Sequence, residues 1–414
     1  MKHWLTRTIL VLSLVSLFND VSGELLYPVL PLYLASIGYG AIWIGILEGC
    51  AEAVGGLTKG WFGEWSDRRG KRLPFVRFGY LISAFSKPLL VLFASAPWAL
   101  LMRSSDRLGK GVRTGARDAL LAEEAENHKG KAFGFHRALD TLGAVIGPML
   151  ALAWLVVHKN GNYKPLFYYA LLPGLLCFLL LFLVKEKKRE RKKLVLPASP
   201  FSSFGYWKRS DKEYRKLVTG VVAFTLFNSS DMFLLLLVKT IFKDGVTLNI
   251  NGPVAVSADM LVVGFYIFFN IVYSVASYPA GAMSDKAGPK LMMIIGYVCF
   301  TVMYAGMAAV AAGWTHNLVF VLACFVIYGF YSACTEGVSK AWVSQLSDKE
   351  DKGLALGLFS GYQSIATLIA SSVAGLIWTF AHPSFVFLSS ALMSGIIVFY
   401  LTFALKSTRP VKQK

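Results

Sequence analysis

Charge is scarce in this chain of 414 residues: Asp, Glu, Lys and Arg together make up 16%, against 55% hydrophobic residues. With a mean hydropathy of +0.54, the chain is too apolar to hide its surface in one water-soluble core. Lipid is the natural solvent for such a surface. Acidic residues are scarcer than basic ones, 24 against 42, for a net charge of +18. The bases sit mainly at the ends of apolar segments and not on an aromatic-lined surface, so membrane topology explains them and no nucleic acid partner is expected. The five cysteines, Cys50, Cys177, Cys299, Cys324 and Cys334, lie in apolar runs without paired spacing. That pattern suggests neither a disulfide framework nor a zinc site, and they read as small packing residues. A G-x-x-x-x-G-K-[ST] nucleotide loop is absent, as are H-E-x-x-H and G-x-S-x-G motifs. Neither a nucleotide-driven pump nor a membrane enzyme is indicated, and no cofactor is expected.

What the chain does have is long, continuous apolar runs. A bilayer crossing takes about 20 residues, and membrane β-barrels would instead show alternating segments of about 10, so the crossings are expected to be helical. Periodicity and turn residues place them at 7–35, 41–65, 73–94, 97–121, 131–157 and 165–184, then at 214–242, 259–283, 290–312, 317–345, 353–379 and 384–405. The expected fold is an all-α membrane protein with twelve transmembrane helices in two pseudo-symmetric six-helix bundles. The bundles are residues 1–184 and 214–414, the latter with a short tail, and the basic linker 185–213 between them opens with K-E-K-K-R-E-R-K-K. Lys and Arg gather at the N-terminus, in alternate loops, in the linker and in the tail. By the positive-inside rule both termini are cytoplasmic, which demands an even number of crossings. The first run carries Asp20 and Glu24 and continues past Pro31, so it reads as a retained helix and not as a signal peptide.

The halves echo one another. L-F-N occurs at Leu17 to Asn19 and again at Leu226 to Asn228, each copy soon followed by a carboxylate, Asp20 or Asp231. The segment G-E-W-S-D-R-R-G-K-R at Gly63 to Arg72 has a fainter copy, G-A-M-S-D-K-A-G-P-K, from Gly281. The segment Arg117 to Gly134 matches Lys340 to Gly357 in the same register, each running from a base through a small-residue loop to G-x-A-x-G, at Gly130 and at Gly353. With these features the chain resembles a member of the major facilitator superfamily over essentially its whole length. Gly63 to Arg72 is similar to the family's cytoplasmic signature between helices two and three, and the second copy keeps Gly281, Asp285, Gly288 and Lys290. Helix four resembles the Arg plus G-x-G signature through Arg103 and Gly109, or alternatively Arg107 and Gly111. In helix five, Gly143, Gly147 and Pro148 are similar to the G-x-x-x-G-P signature that accompanies proton-driven antiport. Two features depart from the drug-exporter pattern: helix four is far more basic, and Ala151 stands where glycine would be.

The resemblance implies a monomeric secondary transporter in the plasma (bacterial inner) membrane. Two bundles would rock about a central cavity, with a small-molecule substrate and protons as coupling ion. Gly63, Asp67, Arg68, Gly70 and Arg72, with Gly281 and Asp285, are then the candidates for conformational gating. Loop topology alone would also place bases there. Gly143, Gly147 and Pro148 bring helix five close to a neighbour, as gating elements or merely to fit a crowded interface.

Several intramembrane charges are candidates for substrate binding or proton coupling. Asp20 and Glu24 share a face of helix one at i and i+4, and Glu48 and Glu52 do the same on helix two. Arg103, Lys110 and Arg117 recur every seven residues, with Arg107 on their face. A charge at the bilayer centre costs about 2.5 to 3.5 kcal/mol, so this stripe must face water or acids. Asp20, Glu24 and Glu48 are the preferred proton carriers, and Arg103, Arg107 and Lys110 the preferred attractors of an anionic group. Arg117, Asp118 and Asp106 read equally well as structural ion pairs. His136 could carry a proton near neutral pH, but it reads better as a histidine at the cytoplasmic end of helix five, capped by Asp140. In the second half Asn228 and Asp231 are the leading candidates, the partner of Asp231 coming from another helix, a coupling ion or the substrate. Glu336 is a further candidate, unless Lys340 at i+4 satisfies it. Phe265, Phe268, Phe269 and Tyr273 are candidates to line the cavity, but a phenylalanine stripe in a membrane helix more often faces lipid, so they stay outside the site.

The favoured function is alternating-access transport of a polar or anionic metabolite, siderophore-like or sugar-acid-like, driven by protons. A proton antiporter exporting amphipathic drugs is the alternative. A non-transporting membrane sensor is a third reading, although linker and tail are short for a signalling module.

Overall fold

The computed structural model describes residues 5–125, 129–158, 162–186, 205–249, 253–347 and 352–405. Most of the basic linker, the tail and the side chains of Asp67, Arg68 and Asp285 lie outside the described residues. Every predicted apolar run is helical. Nine are single helices: α3 (Ala41–Arg69), α4 (Leu73–Leu90), α5 (Ala96–Glu124), α6 (Lys129–Val157), α12 (Ala258–Ala287), α13 (Pro289–Ala311), α14 (Leu318–Gln345), α15 (Lys352–Phe380) and α16 (Pro383–Ala404). The other three are interrupted. The first crossing is α1 (Arg7–Glu24) followed by α2 (Leu30–Ser36), and the sixth is α7 (Lys164–Tyr169) followed by α8 (Leu171–Leu180) and a short 3-10 turn. The seventh is α10 (Lys212–Thr225) followed by α11 (Met232–Ile241). Pro28 explains the first break, because it donates no hydrogen bond and disfavours helical backbone at the preceding Tyr27. The third break contains no proline or glycine. Its sequence, Asn228-Ser229-Ser230-Asp231, consists of side chains that compete with helical hydrogen bonds, and the Met232 N–H donates to Ser230 Oγ at 3.3 Å. Outside the crossings lie a short helix α9 (Tyr206–Arg209) and an antiparallel hairpin of β1 (Val246–Asn249) and β2 (Pro253–Val256), with Val246 opposite Val256.

The chain divides into two compact units, residues 1–39 with 50–202, and residues 40–49 with 203–414. In the first, α1 packs on α6 and α4 on α5. These contacts need missing side chains. A Cβ on Gly147 would sit 2.7 Å from the Leu25 nitrogen, and one on Gly143 would strike the Leu17 carbonyl. The signature residue Gly63 is spent in the same way, since a Cβ on Gly115 of α5 would lie 2.9 Å from its Cα. Its counterpart Gly281 has nothing within 4 Å of an added Cβ, so this packing is not shared by the second copy. What the copies do share is how their helices stop. α3 ends before Gly70 at φ +64° and α12 before Gly288 at φ +92°, backbone that glycine adopts without steric cost.

Each unit then fastens the helix that follows. The Glu186 carboxylate accepts from the Arg72 and Leu73 N–H groups at 2.7 and 3.1 Å, placing an anion on the N-terminus of α4. Lys290, in the first turn of α13, donates to the Thr402 and Leu405 carbonyls at the end of α16, at 2.9 and 2.5 Å.

Outward faces are apolar. On α16, Phe385, Leu388, Leu392, Ile396, Phe399 and Phe403 are exposed at helical spacing, the stripe a lipid-facing helix presents. Phe265 and Phe269 of α12 correct an expectation: both are buried, with ring centroids 4.9 Å from Phe325 and 4.9 Å from Tyr328, respectively. Their face is taken up by aromatic neighbours on α14.

Candidate functional site

In the first unit α5 delivers five bases, and acids or hydroxyls from its neighbours meet most of them. Arg103 lies 3.4 Å from Asp106 one turn on, and its guanidinium stands 5.9 Å from the Tyr27 ring centre. Arg107 reaches Glu52 of α3 at 3.0 Å. Arg113 is buried, donates to Ser83 Oγ of α4 at 2.5 Å and lies 4.4 Å over the Tyr80 ring. Arg117 pairs with the adjacent Asp118 at 2.9 Å and donates to Ser16 Oγ of α1 at 3.4 Å. Arg117, Asp118 and Asp106 thus form the ion pairs that sequence left as one of two readings. Lys110 differs: it is exposed, and among the described residues no carboxylate lies within salt-bridge distance of it.

The acids are arranged less simply than i and i+4 spacing suggests. Asp20 accepts from Asn19 at 3.0 Å, and its carboxyl lies within hydrogen-bonding reach of Asp140 on α6. The close approach of α1 to α6 at Gly143 brings them together, since a Cβ on that glycine would sit 3.0 Å from Asp20 Cβ. Asp140 also accepts from Ser16 at 2.5 Å and from Arg137 at 2.9 Å. It is therefore not the cap of His136, whose buried Nε2 has no hydrogen-bond partner. Glu24 lies in the last turn of α1. Glu48 is buried in the part of α3 that groups with the second unit, where Gly49 lets Leu368 of α15 approach. Glu52, one turn on, is 44% exposed at its side chain, so the two members of that predicted pair occupy different surroundings.

Sequence reasoning passed over Lys87 on α4. It is 6% exposed and donates to Ser22 Oγ at 2.8 Å, while Ser22 donates to the Ala170 carbonyl at 2.6 Å. A lone lysine inside an apolar run was the available signal.

In the second unit the Tyr328 hydroxyl donates to Asp231, and Asn228 Nδ2 donates to Tyr331 Oη at 3.2 Å. The two tyrosines are stacked, centroids 5.5 Å apart. Lys239 pairs with Asp259 at 3.0 Å where α11 meets α12. Glu336 accepts from the Tyr273 hydroxyl at 2.9 Å, and no ion pair to Lys340 forms: both side chains are exposed, where an ion pair adds little.

The model of the Major Facilitator Superfamily matches residues 12–268 and 254–414. An uncharacterised MFS-type transporter of Methanocaldococcus jannaschii is 32% identical over 401 residues, covering 96% of this chain and 95% of that protein. The class B tetracycline resistance protein of Escherichia coli is 25% identical over 318 residues, 72% of each chain. Among solved structures, a crystal structure of the nucleoside transporter NupG superimposes with a TM-score of 0.77 at 13% identity, covering 97% of this chain and all of that one. Twelve helical crossings in repeated halves, apolar outward faces, the Gly63 signature and these full-length matches agree: the chain is an integral membrane transporter of the major facilitator superfamily.

Proposed function

We propose that this transporter carries a small polar or anionic organic solute by alternating access, coupled to protons, with both termini on the cytoplasmic side of the plasma membrane. The observation that supports the substrate class is Lys110. It is an exposed cation on a transmembrane helix whose neighbouring bases already hold their own carboxylates, which leaves it to receive an anionic group from solution. Proton coupling is read from Asp20 and Asp140. Two neighbouring carboxyls repel one another when both are ionised, and a proton shared between them would relieve that repulsion. The charges that act on Asp20 include Glu24, Lys87 and Lys110, and the groups near Asp140 include Arg117, Arg137 and His136. An anion bound at Lys110 would favour proton uptake by the pair, and a shift of α1 against α6 that parts the two carboxyls would release it. Glu52, Arg103 and Arg107, on or beside the helix that carries Lys110, are assigned to the same reading, and the second unit's own proposed residues are Glu48, Asn228, Asp231 and Glu336. Gly63, Gly70, Arg72, Gly143, Gly147, Pro148 and Gly281, together with Asp67, Arg68 and Asp285, set the conformational change.

Proteoliposomes test both parts. Sugar acids and hydroxycarboxylates are screened for uptake driven by an imposed pH gradient, then repeated with the Asp20→Asn and Lys110→Ala proteins. Transport that survives collapse of the gradient, or is indifferent to Lys110→Ala, defeats the proposal. The second reading, export of an amphipathic drug, is favoured by the 25% identity to the tetracycline resistance protein and by Gly143, Gly147 and Pro148. Gradient-dependent drug efflux in the same vesicles would select it.

A further inference from the structure

A cavity of about 440 Å³ in the first unit serves none of the roles above. It lies between the last turns of α6, the junction of α7 with α8, and Leu25 just past α1. The short side chains of Ala153 on α6 and Pro173 on α8 leave room there that larger residues would fill. Leu25 and Leu166 are buried in its wall, whereas Leu150, Val157 and Leu172 are exposed, so the cavity is a groove open on one side. That side faces lipid, because Leu172 begins an exposed stripe that continues through Leu176, Leu179 and Leu183 at helical spacing. We propose that the groove holds one acyl chain of an anionic phospholipid, whose phosphate is received by Lys164. The proposal uses none of the residues assigned to solute or proton, and its test involves no transport.

Shape and polarity select the occupant. Residues 150–158 rise about 12 Å along α6, so the groove runs with the crossing helices, as acyl chains do. Its walls are apolar over that length, which excludes water and ions as its filling, and an empty groove would forgo the contacts of a packed surface. One end is amphipathic. The apolar span of α6 stops at Val157 and the next begins at Lys164. At that end His158 stacks on Trp154 with ring centroids 3.6 Å apart, Trp154 Nε1 donates to the Asn162 carbonyl at 3.1 Å, and the Tyr169 ring meets Trp154 edge-on at 5.4 Å. Aromatic rings with polar tips mark the headgroup level of a bilayer.

Charge selects the headgroup. Lys164 is exposed in the first turn of α7, two positions before Leu166, and among the described residues it has no ion-pair partner. Its methylene stem can lie along the apolar rim while the ammonium reaches a phosphate above the groove. A lipid with net negative charge is favoured there over a zwitterionic one.

Brominated lipid gives a local readout, because bromine on an acyl chain quenches an indole that it touches and Trp154 lines the groove. The transporter is reconstituted in phosphatidylcholine bilayers carrying a minor share of dibrominated phosphatidylglycerol or, in parallel, dibrominated phosphatidylcholine. The contribution of Trp154 is taken as the difference from Trp154→Phe. The expected result is half-maximal quenching at an about fivefold lower content of phosphatidylglycerol than of phosphatidylcholine. Lys164→Gln should abolish that preference by removing the cation, and Ala153→Phe should abolish it by filling the groove. Should Ala153→Phe fail to fold, the lipid comparison and Lys164→Gln, at an exposed position, carry the test. Equal quenching by the two lipids in the unmodified protein overturns the proposal, as does a preference that survives either substitution. Quenching of Trp154 by a water-soluble brominated aromatic compound but by neither lipid overturns it in favour of a drug site.

Discussion

Lys87 has a hydroxyl as its hydrogen-bond partner at a depth where an ammonium is costly. Replacing it by methionine keeps most of the volume and removes the buried charge. The thermal midpoint of Lys87→Met is accordingly expected to hold or rise, while Lys87→Ala, which leaves a void, loses about 2 kcal/mol. A melt of the two proteins in the same detergent checks this, and equal losses in both would mean that the charge itself holds α4 to α1. Lys110 and Arg113 give a second contrast. Lys110 is exposed without a salt bridge, so Lys110→Ala should alter stability by no more than about 0.5 kcal/mol. Arg113 is buried between Ser83 and the Tyr80 ring, and Arg113→Ala should cost about 2 kcal/mol by leaving a void against that ring. Denaturant titration of both variants gives the comparison. At this scale the sequence was legible where charges repeat, as in the α5 stripe. Asp140 was misassigned because its partners, Ser16 and Asp20, lie more than 100 positions away and no local spacing reports them.

Helices were legible almost to their ends, because runs of 20 or more apolar residues have one solution in lipid. The breaks were not all equally visible. Pro28 announces the first, whereas the seventh crossing breaks at L-F-N, the same tripeptide that is helical in α1 at Leu17 to Asn19. What differs is downstream: two serines and Asp231 follow in one case, and Asp20, Val21 and Ser22 in the other. Side chains in α15 and α16 take up part of the backbone hydrogen bonding that the broken turn gives up. Glycine packing is the property of elements most open to test. Gly147→Val places a branched side chain against the α1 backbone and is expected to lower stability by about 2 kcal/mol, while Gly281→Ala, facing open space, should be silent. Thermal unfolding of the two proteins checks both expectations.

For the whole molecule, an even number of crossings with basic alternate loops predicts that both ends of the chain share one side of the bilayer. Single cysteines introduced at Thr6 and, separately, at Leu405, in a background lacking the five native ones, should both react with a membrane-impermeant maleimide only in inside-out vesicles. Labelling from opposite faces would require an odd number of crossings and undo the pairing of the halves.

The exposed stripe on α16 sets a thickness for the surrounding bilayer. Its 22 residues rise about 33 Å, slightly more than the roughly 30 Å of a typical hydrocarbon layer. Bilayers of short-chain lipid would leave Phe385 or Phe403 in the headgroup region unless the helix leaned over. Because Lys290 is anchored to the carbonyls at the end of that helix, any such lean would be transmitted to the start of α13. Acyl-chain length is thus a mechanical input to the second unit.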